Sequence, residues 1–110
     1  MCPLHTYSPY IEDAARLLGA QIQEGRRDRR WSAEELAKRV GVSRPTLSKI
    51  ERGDPSVGLG TAFEAARLVG VPLFGEDRDR LKAELRRSQQ HLALLPQRVR
   101  EPRADVDDDF

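Results

Sequence analysis

Residues 32–53 read SAEELAKRVGVSRPTLSKIERG. Ser32 stands where an N-cap hydroxyl accepts from the backbone, and Glu35, three residues on, completes a capping box. Leu36, Ala37 and Val40 follow at helical spacing as the apolar stripe of a short helix, which Gly41 ends. Ser43 offers a second cap, Pro45 falls in a first turn that tolerates proline, and Leu47 and Ile50 point inward before Gly53 stops the helix. The stretch is two short helices joined at Gly41-Val42-Ser43. Gly41 can take a positive φ and reverse the chain, and Val42 is placed to plug the space between the helices.

Burying Leu47 and Ile50 turns Arg44, Pro45, Ser48, Lys49 and Arg52 to the opposite face. On an isolated helix such a face is ordinary solvated charge. Behind a tight turn of this spacing it matches what the DNA major groove accepts: hydrogen-bonding groups near a helix start and a cation further along.

Working outward, helical periodicity persists and almost nothing alternates with period two. Pro9 suits a helix start, and Ile11, Ala14, Ala15, Leu18 and Ile22 give a stripe for a first helix over residues 9–27. Beyond Gly53, Asp54-Pro55-Ser56 is a turn signal, and a fourth helix spans residues 60–69 before Gly70 and Pro72. A fifth begins near Glu76 and ends by Leu95, with Glu76, Asp77 and Asp79 early and Arg86 and Arg87 late, as the helix dipole favours. Its Leu81, Leu85, Leu92 and Leu95 recur at intervals of four, seven and three, a heptad-like seam interrupted at Ser88. The organisation read from this is an irregular N-terminal arm (residues 1–8), one all-α, five-helix domain (residues 9–95) and an acidic, disordered tail (residues 96–110).

Composition agrees with one small domain: 110 residues, 38% hydrophobic and 34% charged, with no run near the roughly 20 apolar residues of a membrane helix. Residues 1–10 lack the basic and apolar regions of a secretory signal, so a cytoplasmic location is expected. The single Cys2 excludes an internal disulfide framework and a Cys-based zinc site. His5 and His91 have no acid–base partner at motif spacing and no glycine-rich phosphate loop occurs, so neither catalysis, a cofactor nor a metal is expected. The net charge of +1 conceals ten Lys/Arg against eight Asp/Glu in residues 1–60, and three Arg against five acids in residues 96–110.

The string Leu36-Ala37, Gly41-Val42-Ser43, Thr46-Leu47-Ser48, Ile50-Glu51 and Gly53 resembles the helix-turn-helix of the Cro/XRE phage-repressor family, over about residues 18–74. The resemblance implies a compact bundle of the lambda-repressor-like type and a homodimer on a palindromic operator in double-stranded DNA. It puts Arg44 and Lys49 at base-reading positions, Ser43 at a phosphate contact of the helix N-terminus, and Thr46 and Arg52 at further phosphate contacts. It also pairs Glu51 with Arg26, a structural bond that orients the recognition helix. Two residues depart from the family pattern. Ala33 stands where members often carry Gln, and Pro45 occupies a usual base-contact position with only apolar contact to offer, for instance to a thymine methyl.

The connection 54–61, with residues 94–100 and 107–110, resembles HipB-type antitoxins. That resemblance implies a repressor of its own operon that also neutralises a HipA-type serine/threonine kinase. The alternative is a free-standing XRE-type regulator of a phage or restriction system; a protein-interaction module without DNA binding ranks last. In the tail, Asp107, Asp108 and Asp109 beside a terminal Phe110 form a candidate partner anchor, an aromatic plug ringed by acids, against the plainer reading of a solubilising tail.

Overall fold

The computed structural model describes residues 7–97. Five helices follow in order: α1 (Pro9–Asp28), α2 (Ala33–Val40), α3 (Arg44–Arg52), α4 (Leu59–Leu68) and α5 (Arg78–Leu94). The chain is all-α, as its periodicity predicts. It divides into two compact units, Met1–Gly75 with α1 to α4 and Glu76–Phe110 with α5.

Local chemistry sets the helix ends of the first unit. The Ser8 hydroxyl accepts from the Ile11 N–H ahead of Pro9. The Ser32–Glu35 capping box is complete, at 3.1 Å from the Glu35 N–H to the hydroxyl and 2.8 Å from the Ser32 N–H to the carboxylate. Gly41 closes α2 at φ 90° and Gly53 closes α3 at φ 79°, left-handed positions that a Cβ would strain.

The core of this unit is Ile22 from α1, Leu36 and Ala37 from α2, Leu47 and Ile50 from α3, and Ala62, Ala65, Ala66 and Val69 from α4 and its end. Val42 packs on this cluster from the turn and Trp31 from the α1–α2 connection. The stripe expected on α1 is buried only in part. Ile11 and Ala14 are exposed, and burial starts at Ala15, where Gly53 presses on the helix backbone. Among the described residues nothing in this unit buries Ile11 and Ala14, so apolar spacing there does not become core. Phe74, at φ 56° and 80% exposed, meets Phe63 edge-on with ring centroids 6.0 Å apart.

The second unit is built on α5, capped by Asp77, whose side chain accepts from the Arg80 N–H at 2.9 Å. Arg80 pairs with the half-buried Glu76 just before the helix and Arg87 with Glu84 along it, and none of the side chains of α5 is buried. Cys2, His5 and the tail residues Asp107, Asp108, Asp109 and Phe110 lie outside the described residues.

Candidate nucleic-acid interface

Two glycine contacts and one ion pair fix α3 in place. A Cβ on Gly19 would stand 2.5 Å from the Ile50 carbonyl oxygen, and one on Gly53 2.5 Å from the Arg16 Cα. The backbones of α1 and α3 therefore touch at the C-terminal end of α3, which only glycine allows. Beside this crossing the Arg26 guanidinium grips the Glu51 carboxylate at both oxygens, from Nε at 2.6 Å and from Nη2 at 3.0 Å. A third donor, Nη1, reaches the Trp31 carbonyl oxygen at 3.0 Å, so the fork is satisfied on both sides. The pair is nearly dry, with side-chain exposures of 10% and 9%. The hydrogen bonds to Glu51 push the Arg26 pKa above its ordinary value, against the opposing effect of burial, so the guanidinium stays charged. Arg26 and Glu51, 25 residues apart, thus tie α3 to α1 and to the connection that leads into α2.

The N-terminus of α3 is more fully used than the sequence suggests. The Ser43 hydroxyl accepts from the Thr46 N–H at 3.2 Å and donates to Thr46 Oγ1 at 3.0 Å. Pro45 has no N–H, and Leu47 bonds back to the Ser43 carbonyl. Among the described residues, the Arg44 N–H is left as the donor of this first turn. The Ser43 hydroxyl, expected to reach a phosphate, is spent within the turn, and the Thr46 hydroxyl becomes the outward donor.

On the surface of α3, Arg44, Pro45, Lys49 and Arg52 are exposed and Thr46 and Ser48 half-buried. At 3.6 residues per turn, Pro45, Lys49 and Arg52 fall within about 60° of one another at the centre of this face, with Arg44 and Thr46 on opposite flanks. Arg44, Lys49 and Arg52 form no ion pair among the described residues, so three cations stand on this face without a contacting carboxylate. Asp54 follows α3 and accepts from the Ser56 hydroxyl at 2.7 Å and the Ser56 N–H at 2.8 Å. Those bonds hold its carboxyl below the ordinary value, with smaller help from Lys49 and Arg52.

Other contacts were not foreseen from the sequence. The Arg39 guanidinium lies over the Trp31 ring at 4.1 Å, and Arg29 Nη1 donates to the Val69 carbonyl at 2.6 Å. A run of arginines around one tryptophan was the available signal. No cluster of His, Cys, Asp or Glu among the described residues is arranged to hold a metal, and no helix among them is long and apolar enough to cross a membrane.

Comparison with known proteins bears directly on this geometry. A helix-turn-helix family model matches residues 22–75, from the middle of α1 through α4. An uncharacterized HTH-type transcriptional regulator of Methanothermobacter thermautotrophicus is 43% identical over 49 residues, 44% of this chain and 71% of that protein. The chain belongs to the helix-turn-helix family. Its members also include the HTH-type transcriptional regulator SutR of Escherichia coli, 36% identical over 62 residues, or 56% of this chain and 35% of SutR. An uncharacterized HTH-type regulator of Methanocaldococcus jannaschii is 45% identical over 40 residues, 36% of this chain and 61% of that protein. The chain thus spans about a third of SutR and under two thirds of the M. jannaschii protein. No solved structure matches the chain significantly. The helix-turn-helix match contains every residue of the α3 face, together with Arg26 and Glu51.

Proposed function

We propose that this helix-turn-helix protein binds double-stranded DNA through α3 and represses transcription as a homodimer on a palindromic operator, in the cytoplasm and without catalytic activity. The observation that carries the reading is the outward face of α3, where Arg44, Lys49 and Arg52 stand unpaired on a helix clamped by Arg26–Glu51. Unpaired cations on a rigid helix meet phosphates and base edges without first breaking internal bonds. Lys49, central on the face, and Arg44, on its flank, read guanine edges; Arg52 and the Thr46 hydroxyl hold phosphate; Pro45 offers apolar contact, and Ser48 lies between Arg52 and Arg44 on one flank. The relatives' names as transcriptional regulators support the same reading. Footprinting on the promoter upstream of its own gene tests it: a protected two-fold repeat supports repression at an operator, and no protection at any salt concentration refutes it.

A narrower reading rests on the C-terminal sequence. Residues 94–100 and 107–110 resemble HipB-type antitoxins, which favours a role as antitoxin of a HipBA-like pair, with a HipA-type kinase as partner and Asp107, Asp108, Asp109 and Phe110 as its anchor. Deleting residues 107–110 then weakens binding to a co-encoded kinase and leaves DNA affinity unchanged. Unaltered kinase affinity leaves the broader regulator.

A further inference from the structure

We infer that a groove in the first unit is a docking site for an amphipathic helix of a partner protein, apolar along one stripe and carrying Lys or Arg beside it. This goes beyond the DNA-binding reading and uses none of the α3 face. The groove has a volume of about 680 Å³ and runs between α1 and residues 69–75, with Leu18, Phe63, Leu73 and Phe74 in its lining. Leu18 and Gly25 line it one position before Gly19 and Arg26, which face α3, so it lies about 100° around α1 from the recognition helix. At 3.6 residues per turn, Ile11, Ala14 and Leu18 fall within about 60° of one another on the stripe of Gly25, and Tyr10 and Leu17 border them. Tyr10, Ile11 and Leu17 are 80%, 41% and 60% exposed, so the apolar lining continues along the first turns of α1. At the other end Phe74 holds φ 56°, a region that disfavours a Cβ, with 80% of the residue exposed. A contiguous exposed apolar surface ending in a strained aromatic marks a place of contact.

Three features select the occupant. The first is length. From Tyr10 to Asp28 the stripe measures about 27 Å, which matches a helix of about 18 residues. The second is backbone chemistry. The N–H and C=O groups along the side of α1 are spent within the helix, and no β-strand lies among the described residues of this unit. An extended peptide would lay its amides there unpaired, whereas a helix arrives with them satisfied and offers side chains alone. The third is charge. Glu24 and Asp28 continue the row of Tyr10 and Leu17 along the rim of the groove, exposed and without an ion pair among the described residues. The neighbouring cation, Arg29, donates to the Val69 carbonyl at 2.6 Å. The rim is therefore complementary to cations on its occupant. A second copy docking by the same face would bring two more carboxylates there instead.

The test uses the full chain without DNA and two labelled peptides of about 18 residues. Both carry leucine at helical i, i+3, i+4, i+7 spacing; one has lysine and the other glutamate beside that stripe. Fluorescence anisotropy is expected to show the lysine peptide binding about tenfold tighter than the glutamate peptide. Glu24→Lys/Asp28→Lys is expected to reverse that order. Phe74→Asp is expected to weaken the lysine peptide by about tenfold or more, with the urea midpoint of Trp31 fluorescence unchanged. Arg44→Ala/Lys49→Ala is expected to leave its affinity as it was, which separates this result from the fate of the α3 reading. Failure of the lysine peptide to bind, a preference that survives the charge reversal, or binding indifferent to Phe74→Asp overturns the proposal. So does binding that disappears as protein concentration rises, which would mark the groove as filled by a second copy.

Discussion

Removing the Glu51 carboxylate tests whether one buried ion pair holds the recognition helix. Arg26 and Glu51 are each about nine-tenths buried and joined by two hydrogen bonds. With charge centres about 4 Å apart, their attraction is about 4 kcal/mol at an effective dielectric of about 20. Desolvation offsets much of that in the intact protein, but a one-sided deletion leaves the guanidinium buried with only the Trp31 carbonyl, at a cost of about 3–5 kcal/mol. A unit of 75 residues is stable by only about 4–11 kcal/mol at typical values per residue, so Glu51→Ala is expected to be marginal or unfolded at 37 °C. Glu51→Gln keeps the shape and one acceptor and should lose about half as much. Arg26→Met/Glu51→Leu removes both charges at similar volume and should recover most of the loss, because no charge remains stranded. Urea unfolding followed by Trp31 fluorescence measures the parent, Arg26→Met, Glu51→Leu and the double variant as a double-mutant cycle, with Glu51→Ala and Glu51→Gln beside it. A coupling below about 1 kcal/mol between the two sites would refute the view that the pair acts as a clamp.

Three further outcomes follow from the same geometry. Gly19→Ala should destabilise by about 1–3 kcal/mol, since its Cβ would meet the Ile50 and Glu51 carbonyls at 2.5 and 2.7 Å; an unchanged urea midpoint would show that α1 and α3 separate freely. Arg44→Ala and Lys49→Ala should each cost about 1–3 kcal/mol of specific binding and relax base preference, whereas Arg52→Ala should weaken all DNA alike and reduce the salt slope by about one unit; fluorescence titration at several salt concentrations separates the two classes. The Asp54 carboxyl is held low by Ser56, so its contribution to stability is present above the ordinary carboxylate range and is lost as pH falls through the depressed value. The advantage of the parent chain over Asp54→Asn should therefore shrink between pH 5 and about 2; a constant difference would contradict it.

Caps and glycines were legible because they act within three or four residues. The Ser32–Glu35 box, the reversal at Gly41 and the stop at Gly53 need nothing beyond the local chain. Leu36, Leu47 and Ile50 were legible from period alone, because a short helix in a bundle has one inner face. The Arg26–Glu51 bond came from family resemblance, as no local rule links residues 25 apart. What stayed hidden depends on where helices cross. Gly19 sits mid-helix on the buried stripe, a signal for close backbone approach, yet only the position of α3 gives it a partner. Ile11 and Ala14 obey the same period as Ile22 but lie beyond the reach of α3, so an identical pattern ends in solvent. At Ser43 the competition between a cap and an outward donor is invisible until the Thr46 hydroxyl is placed.

These features together shape how α3 can discriminate among sequences. Its first turn has lost one N–H to Pro45 and another to the Ser43 cap, so anion binding by the helix end is weaker than a free terminus would give. At the centre of the outward face stand an apolar ring and two long, flexible cations, with no side-chain amide to read adenine. Flexible cations are drawn to phosphate as readily as to guanine, so the charge they supply favours affinity over discrimination. Discrimination then depends on holding their backbone at one depth and angle in the groove. The Gly19 and Gly53 contacts and the dry Arg26–Glu51 pair do that from the opposite side of the helix, without touching DNA. On the proposed DNA-binding reading, sequence preference is therefore expected to depend as much on the inner face of α3 as on its outer one, and loosening the inner face is expected to lower specificity before it lowers binding.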